Sequence, residues 1–456
     1  MERESVAVTR IKNILDPGSL VELQKEVCFR STDLTGQETS LSSDGVVTGY
    51  GLVEGRLVFF FSQDPEVLHG TIGEMHCKKI IEVLKKAVAM GAPVIGIFDS
   101  AGIRLLESVD ALDGLGQLIA AYNEASGLVP LISVVAGNCG GGLSTLLALS
   151  DFVYVLKGKG KLFVNSPNTI DGNYLDKLDT SAPDFQGLYT GLVDEIVDEN
   201  ELNQCIGSIL ALIPANNTEG TVTLTCEDDL NRLLEGVGAA NFDLRYFLSQ
   251  VSDNGVFVET KSMYEPGMIT GFIILNGMTI GVFGNDTEDG RLTPEAMDKA
   301  ASFISYCDAY EIPLLCVSDV TGFETTLHSE KNLSKAMARL SSVLVEADVP
   351  KVTLIPRRAS SSAGILMNSK AFGADFVYAY KEATLGAVEG KEAVKIIGDM
   401  DSATYDEKYN SALAFAKKGV IDGIIEPADT RKYLVSAFDL LYTKYTLVQD
   451  KKHSLR

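Results

Sequence analysis

Apolar and polar positions alternate so that strands and helices take turns along the chain. Residues 8–24 read as a short helix and turn, broken at Asp16-Pro17-Gly18. Residues 25–43 are polar and loop-like. From Asp44 the pattern predicts two strands, Gly45 to Val53 and Arg56 to Phe61, joined at Glu54-Gly55. That pair resembles the Asn-Gly and Asp-Gly turns that close hairpins. A helix is predicted from about Gly73 to Met90, with Ile80, Ile81, Leu84, Ala87 and Val88 on its apolar face. Buried strands follow at Val94–Phe98 and Leu131–Ala136, with a helix over roughly Gly114–Ser126 between them. Next come Gly137-Asn138-Cys139-Gly140-Gly141-Gly142 and a buried helix, Leu143–Leu149. Strands at Phe152–Leu156 and Lys161–Asn165 precede a loop rich in Asp, Asn and Pro, from Ser166 to Phe185.

The pattern then repeats. Met268 to Phe283 is a second hairpin: Thr270-Gly271 matches Thr48-Gly49 and Asn276-Gly277 matches Glu54-Gly55, both at an offset of 222. A helix over Pro294–Tyr310 and a strand over Leu314–Ser318 lead to Asp319, which matches Asp99 at an offset of 220. A helix, Leu333–Ala347, and a strand, Lys351–Ile355, end in Arg357-Arg358-Ala359-Ser360-Ser361-Ser362-Ala363-Gly364. There Ser362-Ala363 lines up with Gly141-Gly142 at an offset of 221. The strand Phe376–Tyr380 echoes Phe152–Leu156. A period this long means a duplicated domain and excludes a solenoid. Two α/β domains are expected, 1–225 and 226–456, with the composition changing near 214–228.

Composition narrows the classes. A net charge of −23 argues against nucleic acid or an anionic membrane as the main partner, so an anionic ligand needs a local basic pocket. The seven cysteines lack CxxC or Cys/His spacing and read as reduced thiols, with no metal site. Met1-Glu-Arg-Glu-Ser does not read as a signal peptide, and the longest apolar run is broken by Pro130, Asn138 and glycines. A cytoplasmic protein is expected.

The glycine stretch carries the chemistry. A strand–glycine–helix junction aims backbone N–H groups and the positive helix end at one point. That suits an oxyanion, such as a thioester oxygen becoming an enolate. It also suits a tight turn with close strand–helix packing. Its recurrence at 360–363 favours the functional reading and suggests two oxyanion holes. None of His69, His76, His328 and His453 stands in a triad-like pattern. Arg104 and Glu107 read as a surface or interface ion pair. Lys157, Lys159 and Lys161 form a basic patch that suits phosphates and reads more simply as a solvated turn, and Cys139 reads as packing. Arg357 and Arg358 stand at the mouth of the second turn. They suit an anionic carboxylate or a phosphate, or a helix-end or interface contact.

Asp44-Gly-Val-Val-Thr-Gly, Phe61-Ser-Gln-Asp, Gly73-Glu-Met-His, Gly91-Ala-Pro-Val-Ile-Gly, Asp99-Ser-Ala-Gly-Ile-Arg-Leu-Leu-Glu and Ala125-Ser-Gly-Leu-Val-Pro resemble the carboxyltransferase β subunits of biotin-dependent acyl-CoA carboxylases and decarboxylases. The resemblance runs from Arg10 to about Leu441. It implies an α/β fold of two tandem crotonase-like domains, the first binding acyl-CoA and the second admitting carboxybiotin. It also implies a site where one protomer's N-terminal domain faces another's C-terminal domain, and a hexamer built as a trimer of dimers. By the resemblance, the hole donors fall on Gly141 and Gly142, and on Ser362 and Ala363. The cofactor-binding positions fall on Ala101, Gly102, Gly140, Arg357 and Arg358. The sequence departs from the family at Thr321, where a proline is common, at the serines of the second turn, and near Gly386-Ala-Val-Glu-Gly, which carries extra residues.

Biotin would arrive on a separate carrier protein. Neither a Met-Lys-Met biotinyl sequence nor an ATP-binding glycine loop is present. Biotin carboxylase or sodium-pump decarboxylase subunits would then be the further partners. Two other readings stand beside this one: a malonyl-thioester decarboxylase component, and a non-catalytic structural subunit.

Overall fold

The computed structural model describes residues 4–29, 43–238, 240 and 242–444. Most of the polar stretch 25–43 lies outside these. The chain forms two compact units, one running to Glu219 and the other starting at Gly220. Residues 220–225 join the second unit because Leu224 N–H donates to Gly277 O (2.6 Å) and Thr223 bridges to Met278.

Each unit is built on a seven-stranded sheet of the same topology. In the first the spatial order is Val21–Leu23, Val46–Val53, Arg56–Gln63, Val94–Phe98, Leu131–Val135, Phe152–Leu156 and Glu195–Val197. In the second it is Phe257–Thr260, Met268–Leu275, Met278–Asn285, Leu314–Val317, Lys351–Ile355, Phe376–Tyr380 and Gly423–Ile425. The first three strands of each sheet pair antiparallel and the rest parallel. The parallel strands are almost continuously apolar and buried, as a sheet covered on both faces requires.

The hairpin turns explain the register. Glu54 and Gly55 take φ +49° and +78°, and Asn276 and Gly277 +51° and +75°, the left-handed pair that matches strand twist. One carboxylate holds both N–H groups of each turn: Asp16 for Glu54 and Gly55 (3.0 and 2.8 Å), Asp253 for Asn276 and Gly277 (3.2 and 2.7 Å).

Two helices begin six residues before their expected starts, at Ser108 and Leu327. Apart from Ala111 and Ser329 the early turns face solvent, so they carry little burial periodicity. At the second, Thr326 caps Ser329 N–H at 3.1 Å. Each unit also has a small two-stranded parallel sheet, Asn138–Gly140 with Lys161–Phe163 and Arg358–Ser360 with Thr384–Gly386. These small sheets carry the two turns singled out in the sequence.

Candidate active site

In the first unit, Gly140 ends its short strand in extended backbone (φ −125°, ψ 162°). Gly141 then turns to φ +63° and starts a 3-10 turn, Gly141–Leu143, that runs into the helix Ser144–Ala148. In the second unit, Ser360 is likewise extended (φ −106°, ψ 157°), Ser361 takes φ +58°, and the helix is Ser361–Leu366. A left-handed residue after an extended one turns successive N–H groups toward a common point, and first-turn N–H groups have no intrahelical acceptor.

Backbone dihedrals align the two turns one residue away from the sequence match. Gly141 corresponds to Ser361 and Gly142 to Ser362, an offset of 220. Leu143 then corresponds to Ala363, and both are buried. Ala363 N–H donates back to Ser361 Oγ (3.3 Å), so Ala363 sits one residue inside the turn. The sequence match at an offset of 221 pairs Gly141 with Ser362, one residue further on. Backbone dihedral, which letters alone do not carry, decides it.

The serines are accommodated by an exchange of bulk. Gly140 pairs with Phe163, whose ring would lie 2.5 Å from a Cβ at 140. Ser360 pairs instead with Gly386, which has no side chain to clash. Gly386 itself is required, since a Cβ there would meet Asn410 Oδ1 at 2.1 Å. At Gly141 nothing lies within 4 Å of a Cβ, so only φ opposes a side chain there, and Ser361 adopts that φ.

The strand-end aspartates support both turns. Asp99 Oδ2 pairs with Arg10 Nη1 at 2.8 Å, and Oδ1 accepts Asn138 N–H at 3.3 Å. Asp319, fully buried, pairs with Arg357 Nη2 (2.5 Å) and takes a two-pronged contact from Arg358 Nε and Nη2 (2.8 and 2.9 Å). Arg357 and Arg358 therefore stand beside the second turn already engaged by a carboxylate. The contact from Asp319 pushes the pKa of Arg358 further up.

Ala101 and Gly102 lie beside the first turn, where Ser100 N–H donates to Asn138 O at 2.8 Å. The N–H of Ala101 goes to His69 O (3.0 Å) and that of Gly102 to Ser100 Oγ (3.1 Å). A cavity of 710 Å³ opens against Asn138, with Lys161, Phe163, Lys177 and Asp179 on its wall. Beside the second turn a cavity of 540 Å³ is lined by Ser361 and Ser362 and by apolar residues including Ile365, Phe415 and Ile421.

Arg104 and Glu107 are buried, against the expectation of a surface or interface pair. Arg104 Nη1 contacts Asp44 (2.7 Å) and Glu107 (2.8 Å), and Nη2 donates to the carbonyls of Asp44 and Thr71. Glu107 in turn accepts Glu74 N–H (2.6 Å), stapling the helix Glu74–Met90 at its positive end. Burial lifts the Asp44 carboxyl to about 6 and drops His76 to about 3. Cys139 is fully buried and burial drives its thiol well up, as a packing residue requires. Lys157, Lys159 and Lys161 are exposed and pair with Asp198, Glu199 and Asp179. Sequence reading missed Arg10 and Gln63. Gln63 Oε1 accepts Asp99 N–H (3.0 Å) from a strand end, a position with no periodic signal of its own.

Comparison with known proteins places these features in context. The carboxyl transferase domain model matches residues 2–455. The chain is 34% identical to the methylmalonyl-CoA decarboxylase subunit alpha of Veillonella parvula, covering 97% of this chain and 91% of that one. It is 35% identical to the propionyl-CoA carboxylase beta chain of Roseobacter denitrificans, covering 97% and 92%. A solved structure of the transcarboxylase 12S hexamer, with hydrolysed methylmalonyl-coenzyme A bound, superposes with a TM-score of 0.93 at 30% identity, covering 99% of this chain and 92% of that one. Among the described residues, no helix is long and apolar enough to cross a membrane.

Proposed function

Since this chain belongs to the carboxyl transferase domain family and is an acyl-CoA carboxyltransferase of crotonase-like fold, we propose that it moves a carboxyl group between biotin on a separate carrier protein and a short acyl-CoA of the propionyl, acetyl or methylmalonyl type. The observation that carries this reading is the pair of matched turns, φ +63° at Gly141 and +58° at Ser361, each opening a helical turn whose leading N–H groups have no acceptor within the helix. Such donors fit an oxygen that gains negative charge during the reaction.

We assign the N–H groups of Gly141 and Gly142 to the thioester oxygen as it becomes an enolate oxygen. Those of Ser361 and Ser362 hold the ureido oxygen. Biotin, when carboxylated, supplies both the transferable carboxyl and the base for the α-proton, so the chain provides position and electrostatics. The 710 Å³ cavity at Asn138 is of ligand size and brings Lys177, and Lys161 with its partner Asp179, to its wall, where a CoA phosphate needs cations in an acidic protein. The acyl-CoA side is thus the first unit and the biotin side the second.

A biotin carrier, with either biotin carboxylase or membrane-bound decarboxylase subunits, completes the cycle. The chain works as a closed homo-oligomer, a hexamer. The test is transfer from methylmalonyl-CoA or malonyl-CoA to free biotin by the purified protein, followed by loss of the carboxylated thioester. Absence of biotin-dependent transfer with either thioester in folded, oligomeric protein refutes the reading.

A further inference from the structure

We infer that Arg10, on the N-terminal helix Val6–Lys12, is a positioning residue for the first turn and acts through Asp99. The inference rests on the reading that this turn holds the thioester oxygen. Arg10 makes two contacts that converge on the entry to the turn. Nη1 reaches Asp99 Oδ2 at 2.8 Å and Nη2 donates to Ala136 O at 3.3 Å. Asp99 is held from its other side by Gln63, accepts Asn138 N–H, and packs directly on Gly137, where a Cβ would lie 1.9 Å from Oδ1. The carboxylate therefore fixes the backbone of Gly137 and Asn138, which leads in three residues to Gly141. An unpaired carboxylate here would oppose an anion forming at the turn, and the guanidinium neutralises it.

The duplication supplies an independent comparison. At the offset of 220, Asp319 takes the place of Asp99, while Arg357 and Arg358 take the places of Gly137 and Asn138. So the second turn carries its own arginines for the aspartate, and the first turn has none. The helix positions differ in the opposite sense. Phe247 stands six residues before Asp253 as Arg10 stands six before Asp16, the two aspartates that hold the hairpin turns. Phe247 is buried in an apolar cluster. The source of the guanidinium has changed between the halves, and its pairing with the strand-end aspartate is present in both.

The test uses full-length protein and transfer from methylmalonyl-CoA to free biotin. Arg10→Ala is expected to lower kcat by about tenfold or more while KM for the thioester moves less than about threefold, the pattern for a lost transition-state contribution. Guanidinium ion in the tens of millimolar (an order-of-magnitude choice well below denaturing concentrations) should restore part of kcat in Arg10→Ala and none in wild type. Arg10→Lys should keep an intermediate rate. Asp99→Asn, which loses the ion pair that holds this side chain against Gly137 and Asn138, should also lose kcat, and it serves if Arg10→Ala does not fold. A kcat within about threefold of wild type in folded Arg10→Ala and Asp99→Asn overturns the inference, as does a loss that guanidinium leaves untouched and that follows the fall in thermal stability. A wild-type protein without transfer would refute the functional reading instead.

Discussion

Gly142→Val tests the first turn most directly. Gly142 is exposed and does not have a positive φ, so valine meets no backbone strain there. Its Cβ would stand 3.0 Å from Leu115 Cδ2, the far end of a flexible side chain that yields by a few tenths of an ångström. Crowding of that kind typically costs about 1–3 kcal/mol. The larger expected effect is on transfer, because the added bulk sits on a residue whose N–H is assigned to the thioester oxygen. Loss of one preorganised donor costs about 3–4 kcal/mol, a fall in kcat of roughly two to three orders of magnitude. The assay is steady-state transfer to free biotin, with thermal unfolding and light scattering on the same sample. Adding Leu115→Ala separates the two effects: it relieves the crowding, costs about 2–5 kcal/mol as a core truncation in its own right, which the Leu115→Ala single variant measures, and should not recover kcat. A folded Gly142→Val protein with kcat within about threefold of wild type would refute the assignment, and recovery of kcat in the double variant would reassign the loss to packing.

Ser361→Gly removes a left-handed serine that costs about 1 kcal/mol and adds a comparable chain-entropy cost, so stability should stay near wild type. Transfer to free biotin should persist in Ser361→Gly and Ser362→Gly if backbone N–H groups are the donors, and a fall in kcat of about tenfold or more in either would point to a hydroxyl instead. Arg104→Met leaves Asp44 and Glu107 buried without their partner and should cost about 3–5 kcal/mol, read as a lower denaturant midpoint. His76 is buried neutral, its pKa lowered from 6.5 to about 3, so the unfolded chain binds the extra proton and stability falls as pH drops below 6.5. The stability difference between wild type and His76→Gln should therefore change by about 1.4 kcal/mol per pH unit below 6.5, and a pH-independent difference would show that His76 is not buried neutral. The raised carboxyl of Asp44 works in the opposite sense, losing stability as pH rises from 3.8 to about 6, and cancels in that comparison. Light scattering should show a hexamer in solution, and a fully active monomer would exclude the closed assembly.

What the sequence determined by itself is local. The apolar runs of five residues at 94–98, 131–135 and 152–156 announce buried parallel strands because both faces are covered, and the structure has strands at those residues. Glu54-Gly55 and Asn276-Gly277 announce hairpins because a two-residue turn needs left-handed backbone, a property of the residues in the turn. The duplication was legible for the same reason: each half repeats its local signals in the same order. Tertiary structure decided the rest. The residue matching Gly141 by dihedral is Ser361, and hairpin and aspartate offsets that differ by two residues (222 and 220) leave that undetermined in the sequence. Arg104 and Glu107 look like any i, i+3 surface pair until Asp44, sixty residues earlier, closes over them and desolvates both. Arg10 reads as a polar position on a short helix, and only folding brings its guanidinium to Asp99. Burial and long-range charge pairing depend on which distant segments meet, and no window of sequence around either residue contains that information.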